Sequence, residues 1–365
     1  MKAAACALLL VVVCCGACVG VGGEQGRKIL VYRGASDASA AVAVGEDMFV
    51  VADDENNILR IYKTAGGVLP VYSYDMSDFL RTERDHPEAD IEGATKVGQR
   101  VYWITSHGRN KDGKFRPNRY RFFATEIKVR DGNVTIQPVG RPCTTLVRGL
   151  LSAATLRNLG LAEAAGVGAR LSKKELKVLA PKKEGLNIEG LCASVDGRTL
   201  YIGFRNPRPV DKSTGRASAL VVPLDNAALV IEKGEAPVFG EPLLWDLGGL
   251  GIRAMEFSPF QRAYFVVAGA FDGNPVFALY RWSGKRQEAP EPAKQLIHSN
   301  FGPEALIPFE GSEKLLLLSD DGTLPVRVSG AWECIEGELL ANGTCPNKFL
   351  LDSNRKTFRA IWLKP

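Results

Sequence analysis

The sequence predicts an all-β protein, a β-propeller of five or six four-stranded blades with one helical insertion. Three observations predict it. A short motif recurs: Asp90-Ile91-Glu92-Gly93-Ala94 returns as Asn187-Ile188-Glu189-Gly190-Leu191 and, more loosely, as Gly302-Pro303-Glu304-Ala305-Leu306. Gly251-Ile252-Arg253-Ala254-Met255 fills the same slot with the charge reversed. Each copy precedes a second apolar strand that ends in a polar cluster, such as Ser106-His107-Gly108-Arg109-Asn110 or Ser319-Asp320-Asp321-Gly322. Between copies the chain is a rhythm of short apolar runs punctuated by Gly, Pro, Asn and Asp, as antiparallel hairpins require. Finally, residues 28–33 and 357–363 are strand-like and belong to no repeat.

Taken in order, residues 1–23 read as an export signal, with Lys2 ahead of an apolar run over residues 3–13 too short to span a bilayer. Cleavage after Gly23 suits an ordinary signal peptidase. A lipoprotein signal with Cys18 lipidated after Gly16-Ala17 is the alternative, although Cys15 stands where such sites usually carry Leu. The folded domain is then residues 24–365, exported to the periplasm or medium, free or lipid-anchored to the envelope, without a transmembrane span.

The repeat units fall at residues 35–75, 90–140, 187–237, 251–290 and 302–345. A first copy, without the Glu-Gly pair, runs from Met48 into Ala52-Asp53-Asp54-Glu55-Asn56-Asn57. Outer hairpins are marked by Ala65-Gly66-Gly67 and Asp131-Gly132, and by Asp225-Asn226 between strands expected at residues 219–224 and 229–232. The two leftover end strands are expected to share one blade, which closes the ring and removes free sheet edges. That blade is one of the five or a sixth.

The insertion spans residues 144–183. Leu150, Leu151, Ala154, Leu156, Leu159 and Leu161 suit an amphipathic helix, and Ser172-Lys173-Lys174-Glu175 is a capping-box pattern opening a second helix through Ala180. It serves either as a lid beside the top of the ring or as a helical pair packed on the rim.

The net charge of +5 is small for 365 residues, and no basic stripe is interleaved with aromatics, which argues against nucleic-acid binding. Four of the eight cysteines lie in the export segment. Of Cys143, Cys192, Cys334 and Cys345, the last two flank the turn signal Asn342-Gly343 and form the expected disulfide of an oxidising compartment. Three histidines (His86, His107, His298) and no Cys-x-x-Cys make a structural zinc site improbable.

In a propeller the start of each inner strand and the end of the second strand converge on one rim of the central channel. That rim gathers Asp53, Asp90, Glu92, Glu189, Glu304, Asp320 and Asp321 with His107, Arg109, Arg205 and Arg253. Carboxylates suit a hard cation, here Ca²⁺, held by Asp90, Glu92, Glu189, Glu304, Asp320 and Asp321. His107, Arg109, Arg205 and Arg253 would act on a small-molecule or acidic ligand, the arginines through bidentate contacts. Such a constellation supports metal-assisted hydrolysis of an ester, lactone or phosphoester. Two readings compete: ion pairs between blades that simply close the ring, and a non-catalytic pocket or scaffold module of the cell envelope.

Other motif matches are weak. The run from Gly108 to Lys114 opens like a phosphate-binding loop, but Phe115 stands at the Ser/Thr position and Pro117 forbids the helix. As a calcium loop it lacks the first Asp and the closing Glu. No Gly-x-Ser-x-Gly elbow supports a serine esterase. The five tryptophans read as core or blade-packing residues, with ligand stacking by Trp103 the minority reading.

Asp90–Ala94, Tyr102–Asn110, Asn118–Thr125, Asn187–Leu191, Tyr201–Arg208, Leu247–Arg253, Tyr280–Gly284 and Leu317–Gly322 resemble the signature runs of a bacterial domain-of-unknown-function family of exported, propeller-like proteins. The resemblance covers nearly all of residues 24–365 and is weakest in residues 144–183 and 334–345. It implies the fold and leaves the chemistry open. More distantly, the Glu-Gly motifs are similar to those of calcium-dependent lactonase and phytase-like propellers.

Overall fold

Alternating and continuous apolar runs bounded by turn residues pair into antiparallel ladders, as their patterning requires. The computed structural model describes residues 28–66, 68–130, 132–168, 170–295 and 301–365. The export signal, the lipidation alternative at Cys18 and His298 lie outside the described residues.

Among the described residues there are five four-stranded antiparallel sheets, so the ring has five blades rather than six. The first comprises Ala38–Ala43, Met48–Asp53, Ile58–Lys63 and Tyr72–Asp75. The second comprises Ile91–Val97, Arg100–Thr105, Phe122–Arg130 and Asn133–Cys143. Asn187–Ala193, Leu200–Asn206, Ala219–Leu224 and Leu243–Trp245 make the third. Gly251–Ser258, Ala263–Gly269, Phe277–Trp282 and Glu291–Gln295 make the fourth.

The fifth blade is composite. Pro303–Pro308 and Leu315–Ser319 are followed in the sheet by Thr357–Leu363, and the N-terminal strand Ile29–Arg33 lies outermost against it. Both end strands are thus used in one closing blade. The segment between its second and third strands carries a small hairpin, Pro325–Arg327 with Thr344–Pro346, and the Cys334–Cys345 disulfide. Cys143 and Cys192 are buried free thiols.

The first strand of each blade packs against the first strands of both neighbours, closing the ring. Each interface between blades has its own apolar core, because every sheet is hydrophobic on both faces. At the closure, Tyr32 stacks on Phe358 with centroids 5.0 Å apart and meets Phe49 and Tyr62 edge-on.

Two expectations need correction. Residues 229–232 are not a strand: Ala227–Lys233 is a helix that buries Ala227, Val230 and Ile231, an i, i+3, i+4 stripe, against the second and third blades. The outer strand of that blade is Leu243–Trp245 instead. The single amphipathic helix expected in the insertion is three pieces, Leu146–Ser152, Ala154–Leu156 and Leu161–Ala165, still burying Leu150, Leu156 and Leu161. Gly160, at φ 77°, sits where a continuous helix would have run on. The capping box is present: Glu175 N–H donates to Ser172 Oγ and Ser172 N–H to Glu175 Oε2, opening Lys173–Val178. No helix among the described residues is long and apolar enough to cross a membrane.

Candidate functional site

Each of the five inner strands loses register at the same place, between Ala38 and Ala40, Ile91 and Gly93, Ile188 and Gly190, Ile252 and Ala254, and Pro303 and Ala305. The extra residue in each is Ser39, Glu92, Glu189, Arg253 or Glu304. A β-bulge re-aims the side chain it carries, and here it forms a ring of five equivalent side chains at the channel mouth. The glycine after the bulge is set by close packing: a Cβ on Gly93 would come within 2.8 Å of Ile104 Cγ2, and one on Gly190 within 2.8 Å of Ile252 Cγ2 on the next blade.

Below this ring the channel shrinks to about 10 Å³, too narrow for more than about one water. Above it opens a cup of about 890 Å³. Glu92, Glu189 and Glu304 lie at the junction and line both.

The two sides of the ring differ. On the third to fifth blades the charges pair: Glu189 Oε1 accepts from Arg205 Nη1 at 2.9 Å and Glu189 Oε2 lies 3.0 Å from Arg253 Nη1, while Arg253 Nη2 pairs with Glu304. Asn187 Nδ2 adds a hydrogen bond to Glu189 Oε1 at 2.8 Å. This network fits the ring-closing reading of these residues.

On the first and second blades carboxylates accumulate, and Asp54 and Glu92 are in no ion pair among the described residues. One oxygen each from Asp54, Asp90 and Glu92 lies within 4.8 Å of the other two, as does one each from Asp37, Asp53 and Asp54. Burial, then the charges of Asp37 and Glu92, push the Asp54 carboxyl well above the usual range; burial, then Asp90 and Glu189, do the same to Glu92. Asp54 Oδ1 is buried without a hydrogen-bond partner among the described residues. Burial also raises Asp90, although Arg119 Nη1 stands 3.0 Å from its Oδ2 and opposes the shift. Arg119 pairs with Glu88 as well.

Asp53 serves the backbone, its carboxylate accepting from the N–H groups of Ser36 and Glu55, both at 3.0 Å. Asp37 faces Asp320 across the closing interface, where their backbones form an isolated bridge, and burial together with the neighbouring Asp320 carboxyl raises Asp37 well above the usual carboxylate range. Asp320 lines the cup. Asp321 does not; it is bound by Ser319 Oγ at 2.8 Å and by Arg359.

The structure does not bring His107 and Arg109 into the cup. His107, with φ 51°, folds back so that Nδ1 lies 2.8 Å from the Thr105 carbonyl, and burial lowers its pKa to about 4. Arg109 is 8% exposed and donates to the carbonyls of Gly113, Ala165 and Gly166, which ties the insertion to the rim. Arg205 lines the cup, and Arg253 is buried behind Glu189 and Glu304.

Sequence reasoning missed Asp37, Asp54, Glu55, Glu88, Arg119, Lys182 and Lys348, all of which line the cup. The acidic run Asp53-Asp54-Glu55 was visible as the end of a second strand, but alternation sends Asp53 into the backbone and Asp54 into the cup.

The family model for the family described as "Protein of unknown function (DUF3616)" matches residues 37–122 and 170–313. No curated protein matches. Among solved structures, the chain is similar to the glutaminyl cyclase of Myxococcus xanthus, at 10% identity and TM-score 0.41 over 80% of this chain and 88% of that one. It is also similar to a putative oxidoreductase (glucose dehydrogenase) of Thermus thermophilus, at 12% identity and TM-score 0.42 over 93% of this chain and 100% of that one.

Proposed function

The chain belongs to the DUF3616 family, a family of unknown function, and from the chemistry of its cup we propose that it binds a divalent cation, Ca²⁺, through Asp54, Asp90 and Glu92 and uses it on a small ligand. The observation that carries this reading is the spacing of those three carboxylates. Ligand oxygens on opposite sides of one Ca²⁺ stand about 4.6–5.2 Å apart, and the three oxygens lie within 4.8 Å of one another. Without a cation the cluster sets Asp54 and Glu92, both part-buried and outside any ion pair among the described residues, beside the buried Asp90, and one Asp54 oxygen has no partner among the described residues. An all-oxygen donor set favours Ca²⁺ or Mg²⁺ over zinc, and the export signal read in the sequence favours Ca²⁺.

A cation there supplies Lewis-acid polarisation for hydrolysis of an ester, lactone or phosphoester. Arg205 is placed to face a ligand in the cup, while Glu189 holds it in position. The paired half of the ring favours a second reading, a non-catalytic binding or scaffold module of the envelope. Turnover of model esters, lactones and phosphoesters by the Ca²⁺-loaded protein decides between the two.

The test of the cation is thermal unfolding and calorimetry with Ca²⁺ and with chelator. A ligand bound only by the native state at a hundredfold its Kd adds about 2.7 kcal/mol. Asp54→Asn should melt higher than wild type in chelator, because one repulsion is gone, and should lose most of the Ca²⁺ gain. Curves that overlay with Ca²⁺ and chelator, with no heat of binding, would refute the proposal. Export is checked by the N-terminal sequence and mass of the mature protein, a start at Glu24 or at a lipidated Cys18 being the two forms expected.

A further inference from the structure

We infer that the ligand of the cup carries an oxyanion, a phosphate monoester or a carboxylate, together with a hydroxyl group, and that Lys182, Lys183 and Asn187 recognise it. This rests on the cation reading above.

The cup's cations divide into two kinds. Arg119 is paired with Glu88 and Asp90, Arg205 with Glu189, and Lys348 with Glu55 at 2.6 Å. Lys111, Arg116, Lys182 and Lys183 line the same cup outside any ion pair among the described residues, and of these Lys182 and Lys183 adjoin Asn187 in the chain. Their backbone is clamped: Asn206, 3% exposed, donates Nδ2 to the carbonyls of Pro181 at 3.3 Å and Lys183 at 2.9 Å. Two exposed ammonium groups carried by this held backbone segment, in the cup that also holds the carboxylate cluster, are complementary to an oxyanion that reaches both.

Asn187 supplies the second observation. It is 3% exposed, lines the cup, and commits its Nδ2 to Glu189, which fixes the amide's orientation. Its Oδ1 is buried and has no partner among the described residues. An amide oxygen only accepts, so the ligand group that meets it is a donor, such as a hydroxyl. An oxyanion oxygen would also complete the oxygen-rich coordination of a Ca²⁺ held by only three side chains.

The experiment is titration calorimetry on the full chain in Ca²⁺ with glucose 6-phosphate, gluconate, glucose and methyl phosphate. At least one of the two hydroxylated anions should bind about tenfold or more tightly than glucose, and glucose 6-phosphate about tenfold more tightly than methyl phosphate if the phosphate is the anion taken. The double variant Lys182→Gln/Lys183→Gln should weaken the charged probe about tenfold or more while leaving Ca²⁺ affinity within about twofold. Equal binding of glucose and the charged probes, or an unchanged double variant, overturns the inference. Ca²⁺ binding with no heat from any of the four probes overturns it alone and spares the cation reading. No heat with Ca²⁺ overturns both.

Discussion

Replacing Glu256 by Gln should leave stability near pH 5 almost unchanged and raise it above pH 8. Glu256 lies past the bulge on the fourth blade's inner strand, where its Oε1 accepts from Phe257 N–H at 2.9 Å and from Cys192 Sγ at 3.6 Å. Thr95 Oγ1 approaches the same oxygen at 3.5 Å. Burial lifts its pKa from 4.5 to about 8. Between those values the native state holds a proton that the unfolded chain has released, so stability is full below the lower value and falls as pH rises through the upper one. At 1.36 kcal/mol per pH unit the ceiling is about 5 kcal/mol, and partial exposure trims it to on the order of 2–3 kcal/mol. Gln keeps an acceptor for Phe257 in the same volume and carries no proton to lose. The other raised carboxyls, Asp37, Asp53, Asp54, Asp90 and Glu92, contribute the same slope to both proteins, so the difference isolates Glu256. Urea unfolding of both proteins from about pH 5 to about pH 9 reads it out. Parallel profiles would show that Glu256 ionises normally and would refute the reasoning.

Glu189→Gln should cost about 3–5 kcal/mol in urea unfolding, because it strips a buried charge from Arg205 and Arg253. The loss should be the same in Ca²⁺ and in chelator, unlike the response of Asp54→Asn; a Ca²⁺-dependent loss would move Glu189 into the cation site. Arg109→Ala removes the donor to the carbonyls of Ala165 and Gly166. It should leave the propeller's melting cooperative while limited proteolysis of residues 160–185 accelerates at least about fivefold, and an unchanged digest would mean the insertion is held by other contacts. Cys334→Ser should destabilise by about 3 kcal/mol, the closure entropy of a short loop, in denaturant under non-reducing conditions; an equal midpoint would show that the hairpin around it suffices.

The sequence by itself determined the blades and the slot. A repeat whose apolar residues face both ways must stack against neighbours, and the Glu-Gly motif with its Arg253 variant marked the inner-strand position that proves to be the bulge in each blade. The leftover strands at both ends announced the closure, and Ser172 with Glu175 announced a helix start, because these signals are local and read the same in any context. Residues 227–233 show the limit of local reading: Ala-Ala-Leu-Val-Ile suits strand or helix, and the apolar face offered by the second and third blades selected the helix. Only the tertiary structure decided what each charge does. Glu92 and Glu189 share one motif, yet Glu189 meets Arg205 on its own blade and Arg253 across the interface, whereas the neighbouring slot on the first blade holds the uncharged Ser39 and leaves Glu92 facing Asp54 and Asp90. His107 and Arg109 sat in the right cluster by spacing, but a left-handed turn at His107 sent both into the packing beneath the insertion. Pairing between blades depends on which residues lie across a gap hundreds of positions long in places, as Asp37 with Asp320 does, and no local pattern encodes that distance.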